Sequence, residues 1–297
     1  MTAPFLKWVG GKSRLVPELV RRLPAKWRTY HEPFAGGAAL FFHLADQMPD
    51  DDVRHGKGAA MLYDANRDLT TTYLAVRNNV TSVIRYLTRH ERNFIDATRT
   101  RRRWQYLQTR REFNDSENYE FYAHHHNPWR AAQFIFLNKT CFNGLWRVNR
   151  QGKFNVPMGD YKNPVICDRD ALRAGAAALA KARVLCTDYH TAELYVDKGD
   201  VVYFDPPYDP VSATSSFASY AAAGFDREDQ RHLAEVARRM VEKRAFVMLS
   251  NSDTPFIRKL YPKKHFCVDR VMVGRSINSK GSGRGKVGEL IITGKRS

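Results

Sequence analysis

The sequence predicts an α/β fold with a mostly parallel sheet, interrupted by an inserted and mostly helical domain. Short apolar runs alternate with helical patterns towards both ends of the chain. Between them, residues 67–165 carry helical patterns, many arginines and few strand signals. The insert divides the α/β part into residues 1–66 and 166–297. The 297 residues, 43% hydrophobic and 12% aromatic, suit one large domain or two smaller ones around a sizeable core.

The elements follow in chain order. KSRLVPELVRRL (12–23) places Leu15, Leu19, Val20 and Leu23 at helical spacing, with Pro17 near its first turn. TYHEPF (29–34) and AAMLYD (59–64) read as buried strands, as do ARVLCTD (182–188), DVVYFD (200–205), AFVMLSN (245–251) and VGELIIT (287–293). Each is apolar or β-branched and bounded by turn or charged residues. Asp226 caps a helix running to about Glu242, with Leu233, Val236, Ala237, Met240 and Val241 on one face. Thr254-Pro255 is a cap followed by proline at the first helical position. No internal repeat or low-complexity tract is visible.

Charge points to the partner. Lys and Arg number 48 against 31 Asp and Glu, a formal net charge of +17. Such a surplus favours polyanions, nucleic acid above all. RTRRRWQYLQTRR (99–111) concentrates six arginines and two aromatics. Guanidinium forks suit phosphate, and a merely solvated basic helix face is the plainer alternative. No apolar run is long enough to span a membrane, and Lys7, Lys12 and Arg14 interrupt any signal-peptide core. The four cysteines form no CxxC, so neither a disulfide framework nor a cysteine zinc site is expected. His124, His125 and His126 lack partners at ligand spacing and read as a polar or DNA-facing turn rather than a metal site.

Four motifs carry candidate chemistry. Asp205-Pro206-Pro207-Tyr208 follows the apolar run VVYF, where open α/β sheets place their ligands. Two prolines stiffen the backbone and remove two amide donors. The Asp205 carboxylate and Pro206 carbonyl become paired acceptors beside the flat Tyr208 ring, a set suited to a planar group bearing an NH2. Glu32-Pro33-Phe34-Ala35-Gly36-Gly37 reads as strand, glycine turn and helix start, open to close ligand approach or simply a tight turn. Asp64 ends the next strand, placed to accept from ribose hydroxyls or to act as a plain cap, and Asp188 invites the same two readings. Gly10-Gly11-Lys12-Ser13 ends like a phosphate loop, but Leu6 stands where its first glycine belongs.

Taken in order, these residues resemble the Dam-type DNA adenine N6-methyltransferases, the D12 class with a DPPY motif. The resemblance rests on FLKWVGGK, EPFAGG, YDAN (63–66), NGLWR (143–147), FNVP (154–157) and DPPY, and covers essentially the whole chain. VSAT from Val211, Phe217, Tyr220, Phe225, HLAE (232–235), Ser250-Asn251, Asp253-Thr254, RSINS (275–279) and VGEL (287–290) add to it. It implies a Rossmann-like seven-stranded methyltransferase sheet (1–66 and 166–297), with target recognition in the insert (67–165). The implied methyl donor is S-adenosylmethionine. Trp8 and Lys12 would help enclose it, with Glu32, Pro33 and Phe34 along its methionine and sulfonium end. Asp64 would hold its ribose, Asp188 would lie near its adenine, and Asp205 would border both cofactor and target base. Asp205, Pro206 and Tyr208 would be catalytic. Phe142 and Asn143 would act in the duplex beside an extruded base. Lys7, Leu145, Arg147 and Pro157 would read bases, Arg147 at a guanine edge, favouring GATC. Tyr161 and Lys162 complete the DNA-binding set.

The expected partner is double-stranded DNA, with no metal and no membrane. The expected protein is a monomer in the cytoplasm, associated with the nucleoid and of bacterial or phage type. Two residues depart from the family pattern: Ala38 replaces the last glycine of the turn, and Asp160 stands where close relatives carry a base. Alternatives are an N4-cytosine methyltransferase, an inactive DNA-binding module and, more distantly, an oxidoreductase, the last weakened by the missing third glycine.

Overall fold

The computed structural model describes residues 2–8, 10–49, 59–115, 126–211, 225–274 and 286–295. His124, His125, Phe217, Tyr220, RSINS and the VSAT residues after Val211 lie outside the described residues. Seven strands form one sheet: β1 (Tyr30–Pro33), β2 (Ala60–Asp64), β3 (Ala182–Cys186), β4 (Val201–Phe204), β5 (Phe246–Ser252), β6 (Phe266–Gly274) and β7 (Lys286–Gly294). Their order is β3-β2-β1-β4-β5-β7-β6. The first five run parallel, while β7 pairs antiparallel with both β5 and β6.

All six expected strands are present. The additional one, β6, is an edge strand carrying Asp269 and Arg270, with Cys267 and Met272 exposed, so it shows no continuous apolar run. The helix expected over 12–23 contracts to α1 (Val16–Val20). Pro17 can occupy only the first turn, so a helix beginning at Lys12 would put its ring against a carbonyl.

Helices cover both faces. On one lie α2 (Ala39–Leu44), α3 (Arg67–Ile95) and α6 (Arg169–Leu179), with a core containing Tyr30, Leu40, Phe41, Leu62, Tyr73 and Leu179. On the other lie α7 (Ala192–Tyr195), α8 (Arg227–Glu242) and α9 (Pro255–Leu260), with Tyr63, Val202, Phe204, Leu233, Val247 and Ile257. Asp226 caps α8 through a full capping box with Asp229, and Thr254 caps α9 ahead of Pro255.

Within 67–165 the chain also forms α4 (Arg99–Phe113) and α5 (Pro128–Thr140). Helix α3 kinks at Asn79 and packs on α5 and α6 as well as β2 and β3. The first core therefore runs without a break from the sheet to Phe94, Phe113, Phe134 and Phe154. No described helix is long and apolar enough to cross a membrane.

Strand order reverses between the neighbours β1 and β4. In open α/β sheets the crevice beyond the carboxyl ends at such a reversal receives ligands. Glu32 lies on β1 and Asp205 immediately follows β4.

Candidate functional site

Asp205 leaves β4 with one carboxylate oxygen held twice. The Ser250 hydroxyl on β5 donates to Oδ1 at 2.9 Å, and the Lys12 ammonium lies 2.9 Å from the same atom. Tyr203 stands 2.9 Å behind Ser250, so a hydroxyl relay braces the carboxylate from inside the sheet. The turn after Asp205 is stapled as well. The Pro207 carbonyl accepts from the Gln230 amide on α8 at 2.7 Å, Gln230 accepts from Asn251 at 3.0 Å, and Asn251 accepts from the Asp209 N–H at 3.2 Å. The Pro206 carbonyl accepts no hydrogen bond among the described residues. Tyr208 donates its hydroxyl to Glu289 on β7 at 3.0 Å, and the Lys12 ammonium lies 4.6 Å from its ring centroid. Lys12 thus spans Asp205 and Tyr208, while also donating to the Gly10 carbonyl at 2.7 Å.

At the end of β1, Glu32 is buried and accepts from Tyr30 at 2.8 Å and the Phe41 N–H at 3.1 Å. Burial pushes its carboxyl up to about 8, against the pull of both hydrogen bonds. Pro33 is buried beside it, and Phe34 turns into the left-handed region at φ 66°. The turn continues through Gly36 (φ 46°) to Ala38 (φ 49°). A Cβ on Gly36 would meet the Trp8 indole at 2.7 Å, so this position must stay bare for Trp8 to pack on it. Ala38 adopts the conformation that glycine favours, which costs about 1–2 kcal/mol for an L-residue.

Asp64 receives the N–H of Gly36 at 2.9 Å and of Asn66 at 2.8 Å, and burial raises its pKa. Each oxygen keeps a lone pair for a further donor. Phe34 stacks on Tyr189 with centroids 5.1 Å apart, and Phe225 meets it edge-on at 5.4 Å. Asp188 caps the short turn Tyr189–Thr191 at the rim of this aromatic nest. Glu32 and Asp64 have no cationic partner among the described residues. A buried and a half-buried carboxyl beside a bare glycine turn and an aromatic nest fit a cationic cofactor that carries an aromatic ring and hydroxyls.

The DNA-reading candidates form a second group, to which Lys7 is the link. The Lys7 N–H donates to Asn138 at 2.9 Å, and its ammonium lies 4.1 Å from the Tyr161 ring centroid, directly before Trp8 in sequence. A Cβ on Gly144 (φ 63°) would strike the Lys7 side chain at 2.5 Å, so the loop folds tightly against it. Phe142 is exposed, Asn143 has φ 54°, and Pro157 is exposed while its carbonyl accepts from the Phe142 N–H at 2.9 Å. Leu145 is half-buried. Arg147 donates from Nε to Asn155 at 2.8 Å, leaving its terminal nitrogens without a partner among the described residues. Lys162 is exposed.

Asp160, the departure from the family pattern, lies 3.6 Å from Arg99 of α4. The basic helix divides its labour. Arg102 donates to the carbonyls of Phe94, Ile95, Tyr161 and Lys162, and Arg110 donates to that of Val156. Trp104 and Arg99 face outward.

Ser250, Glu289 and Gln230 were not among the expected site residues. Ser250 and Glu289 lie in short stretches matching the family pattern, which was the available signal. Gln230 sits one turn into α8, and only the fold brings it to Pro207.

The family model described as D12 class N6 adenine-specific DNA methyltransferase matches residues 8–273. A "Type II methyltransferase M.MjaIII" of Methanocaldococcus jannaschii is 39% identical over 287 residues, covering 95% of this chain and 94% of the relative. A "Type II methyltransferase M1.LlaDCHI" of Lactococcus lactis is 36% identical, covering 98% and 94%. A "DNA adenine methylase" of Escherichia coli is 36% identical, covering 97% and 93%.

Proposed function

Because this chain belongs to the D12 class of N6 adenine-specific DNA methyltransferases, we propose that it methylates N6 of an adenine flipped out of duplex DNA, within GATC. The observation that carries this reading is the braced Asp205 carboxylate beside the unpaired Pro206 carbonyl and the anchored Tyr208 ring. S-adenosylmethionine is the methyl donor that fits Glu32 and Asp64, and when bound it supplies an electrophilic methyl on a sulfonium. Trp8, Lys12, Pro33, Phe34 and Asp188 complete its surroundings.

An adenine amine is a weak nucleophile, because its lone pair is conjugated with the ring. Asp205 and the Pro206 carbonyl accept hydrogen bonds from its two N–H groups and stabilise positive charge developing on nitrogen, which is discharged when one of those protons is lost. Tyr208 stacks on the flipped ring, its tilt set by Glu289. Ser250 fixes the Asp205 carboxylate in advance, so little reorganisation remains at the moment of reaction. Asp205→Ala tests the assignment. Methyl transfer to duplex DNA should become undetectable while DNA binding stays near the wild-type level, and undiminished turnover would refute the role.

In recognition, Phe142 and Asn143 enter the duplex beside the extruded base. Arg147 meets a guanine edge through its terminal nitrogens, and Leu145 and Pro157 meet a thymine methyl. Lys7 reads a second guanine, with Tyr161 and Lys162 along the backbone. We assign recognition to residues 67–165 and methyl transfer to 1–66 and 166–297.

A further inference from the structure

Away from both groups of site residues, α3 and α6 enclose an open groove of about 580 Å³. Arg85, Arg89 and Arg92 line one wall, and Arg169 and Arg173 the other. The first three are spaced i, i+4, i+7 and the last two i, i+4, so each set forms a row on one helix face. Five guanidiniums in one groove repel one another unless an anion lies between them. Nearby acids do little to neutralise them. Asp170, almost fully exposed, reaches Arg173 only at 3.6 Å. Glu91 accepts from the N–H groups of Ile166 and Cys167 at 3.3 and 2.9 Å and forms no ion pair with these arginines.

Helix α3 leads from the groove towards the loop assigned to recognition. Just beyond Arg92, the Phe94 and Ile95 carbonyls bind Arg102, which also holds the carbonyls of Tyr161 and Lys162. We propose that this arginine groove is a second DNA-contact surface, which grips the phosphate backbone of the duplex flanking the recognition site. From Arg85 to Arg92 the helix rises about 10 Å. That is the axial length of about three phosphates of one strand.

The inference rests on the reading that this chain binds duplex DNA, and the test separates the two. Affinity is measured against salt concentration for a GATC duplex of about 10 base pairs and one of about 25, on wild type and on Arg89→Gln/Arg92→Gln/Arg173→Gln. Losing about three phosphate contacts should lower the log–log salt slope by about 2–3 on the long duplex. The short duplex should bind as before, which also shows that the variant is folded. The corresponding triple lysine variant should recover most of the slope, since charge rather than packing carries the effect. Equal slopes for wild type and the glutamine variant on the long duplex would overturn the inference alone. Equal losses on both duplexes would also overturn it, because the arginines would then serve the recognition site or the fold. A wild type that binds neither duplex would overturn the parent reading and the inference with it.

Discussion

Glu32 is a carboxyl whose chemistry departs far from its ordinary behaviour. It is buried, two donors hold it, and its carboxyl nevertheless titrates near 8 instead of the usual 4.5. The folded state therefore binds this proton more tightly than the unfolded chain. Stability contributed by the protonated form is fully present below about pH 4.5 and is lost as pH rises towards about 8. Glu32→Gln, neutral and nearly isosteric, should flatten this part of the stability–pH curve. Thermal melts between about pH 5 and pH 8 check it, and parallel curves for the two proteins would contradict it. A cationic cofactor would draw the carboxyl into its charged form, giving a physical reason for an acid in so apolar a place. Asp205 shows the complementary arrangement, with Lys12 and Ser250 already on one of its oxygens. Its place after β4 was legible in the sequence because an apolar run ended at Asp-Pro-Pro-Tyr. Its bracing was not, since Ser250 is 45 residues away and meets it only across the sheet.

Among the elements, α8 connects stability to the site. Its capping box satisfies backbone donors at its first turn, and Gln230 from that turn holds the Pro207 carbonyl. Asp226→Ala should cost about 1 kcal/mol of stability. Denaturant unfolding measures this, and an unchanged midpoint would show that water caps the helix equally well. The loop between α5 and α6, the proposed recognition loop, makes a different demand. It has little regular structure, two isolated bridges (Cys141 with Met158, Val148 with Phe154) and braces from Arg102, Arg110 and Asn138, the last to the Gly144 carbonyl at 3.4 Å. Its shape was hidden in the sequence because side chains from α4 and α5 satisfy its carbonyls. An arginine row reads equally well as a solvated face or a DNA grip, and here some of its members are structural struts. Arg147→Ala should reduce discrimination at one guanine by about 1–3 kcal/mol while leaving non-specific binding nearly unchanged. Competition binding on singly substituted sites separates this from a phosphate contact, which would weaken every sequence alike.

For the whole molecule, the reversal of strand order between β1 and β4 brings Glu32, Asp64, Asp205 and their neighbours to one end of the sheet. Alternation of strands and helices revealed the fold class, because parallel strands buried on both faces need continuous apolar runs. Edge strand β6 escaped for the same reason, being polar on one side. Antiparallel pairing of β7 was not legible either, since pairing direction depends on contacts distant in sequence. A net charge of +17 pointed to a polyanion without locating it. The structure places part of that charge on the loop between α5 and α6, on α4 and in the groove between α3 and α6. The most direct test is to incubate the purified protein with S-adenosylmethionine and duplexes with or without GATC, then digest the DNA to nucleosides for mass spectrometry. N6-methyldeoxyadenosine from the GATC duplex alone is the predicted result. Methylated cytosine, or no methylated base despite tight binding of both cofactor and DNA, would contradict it.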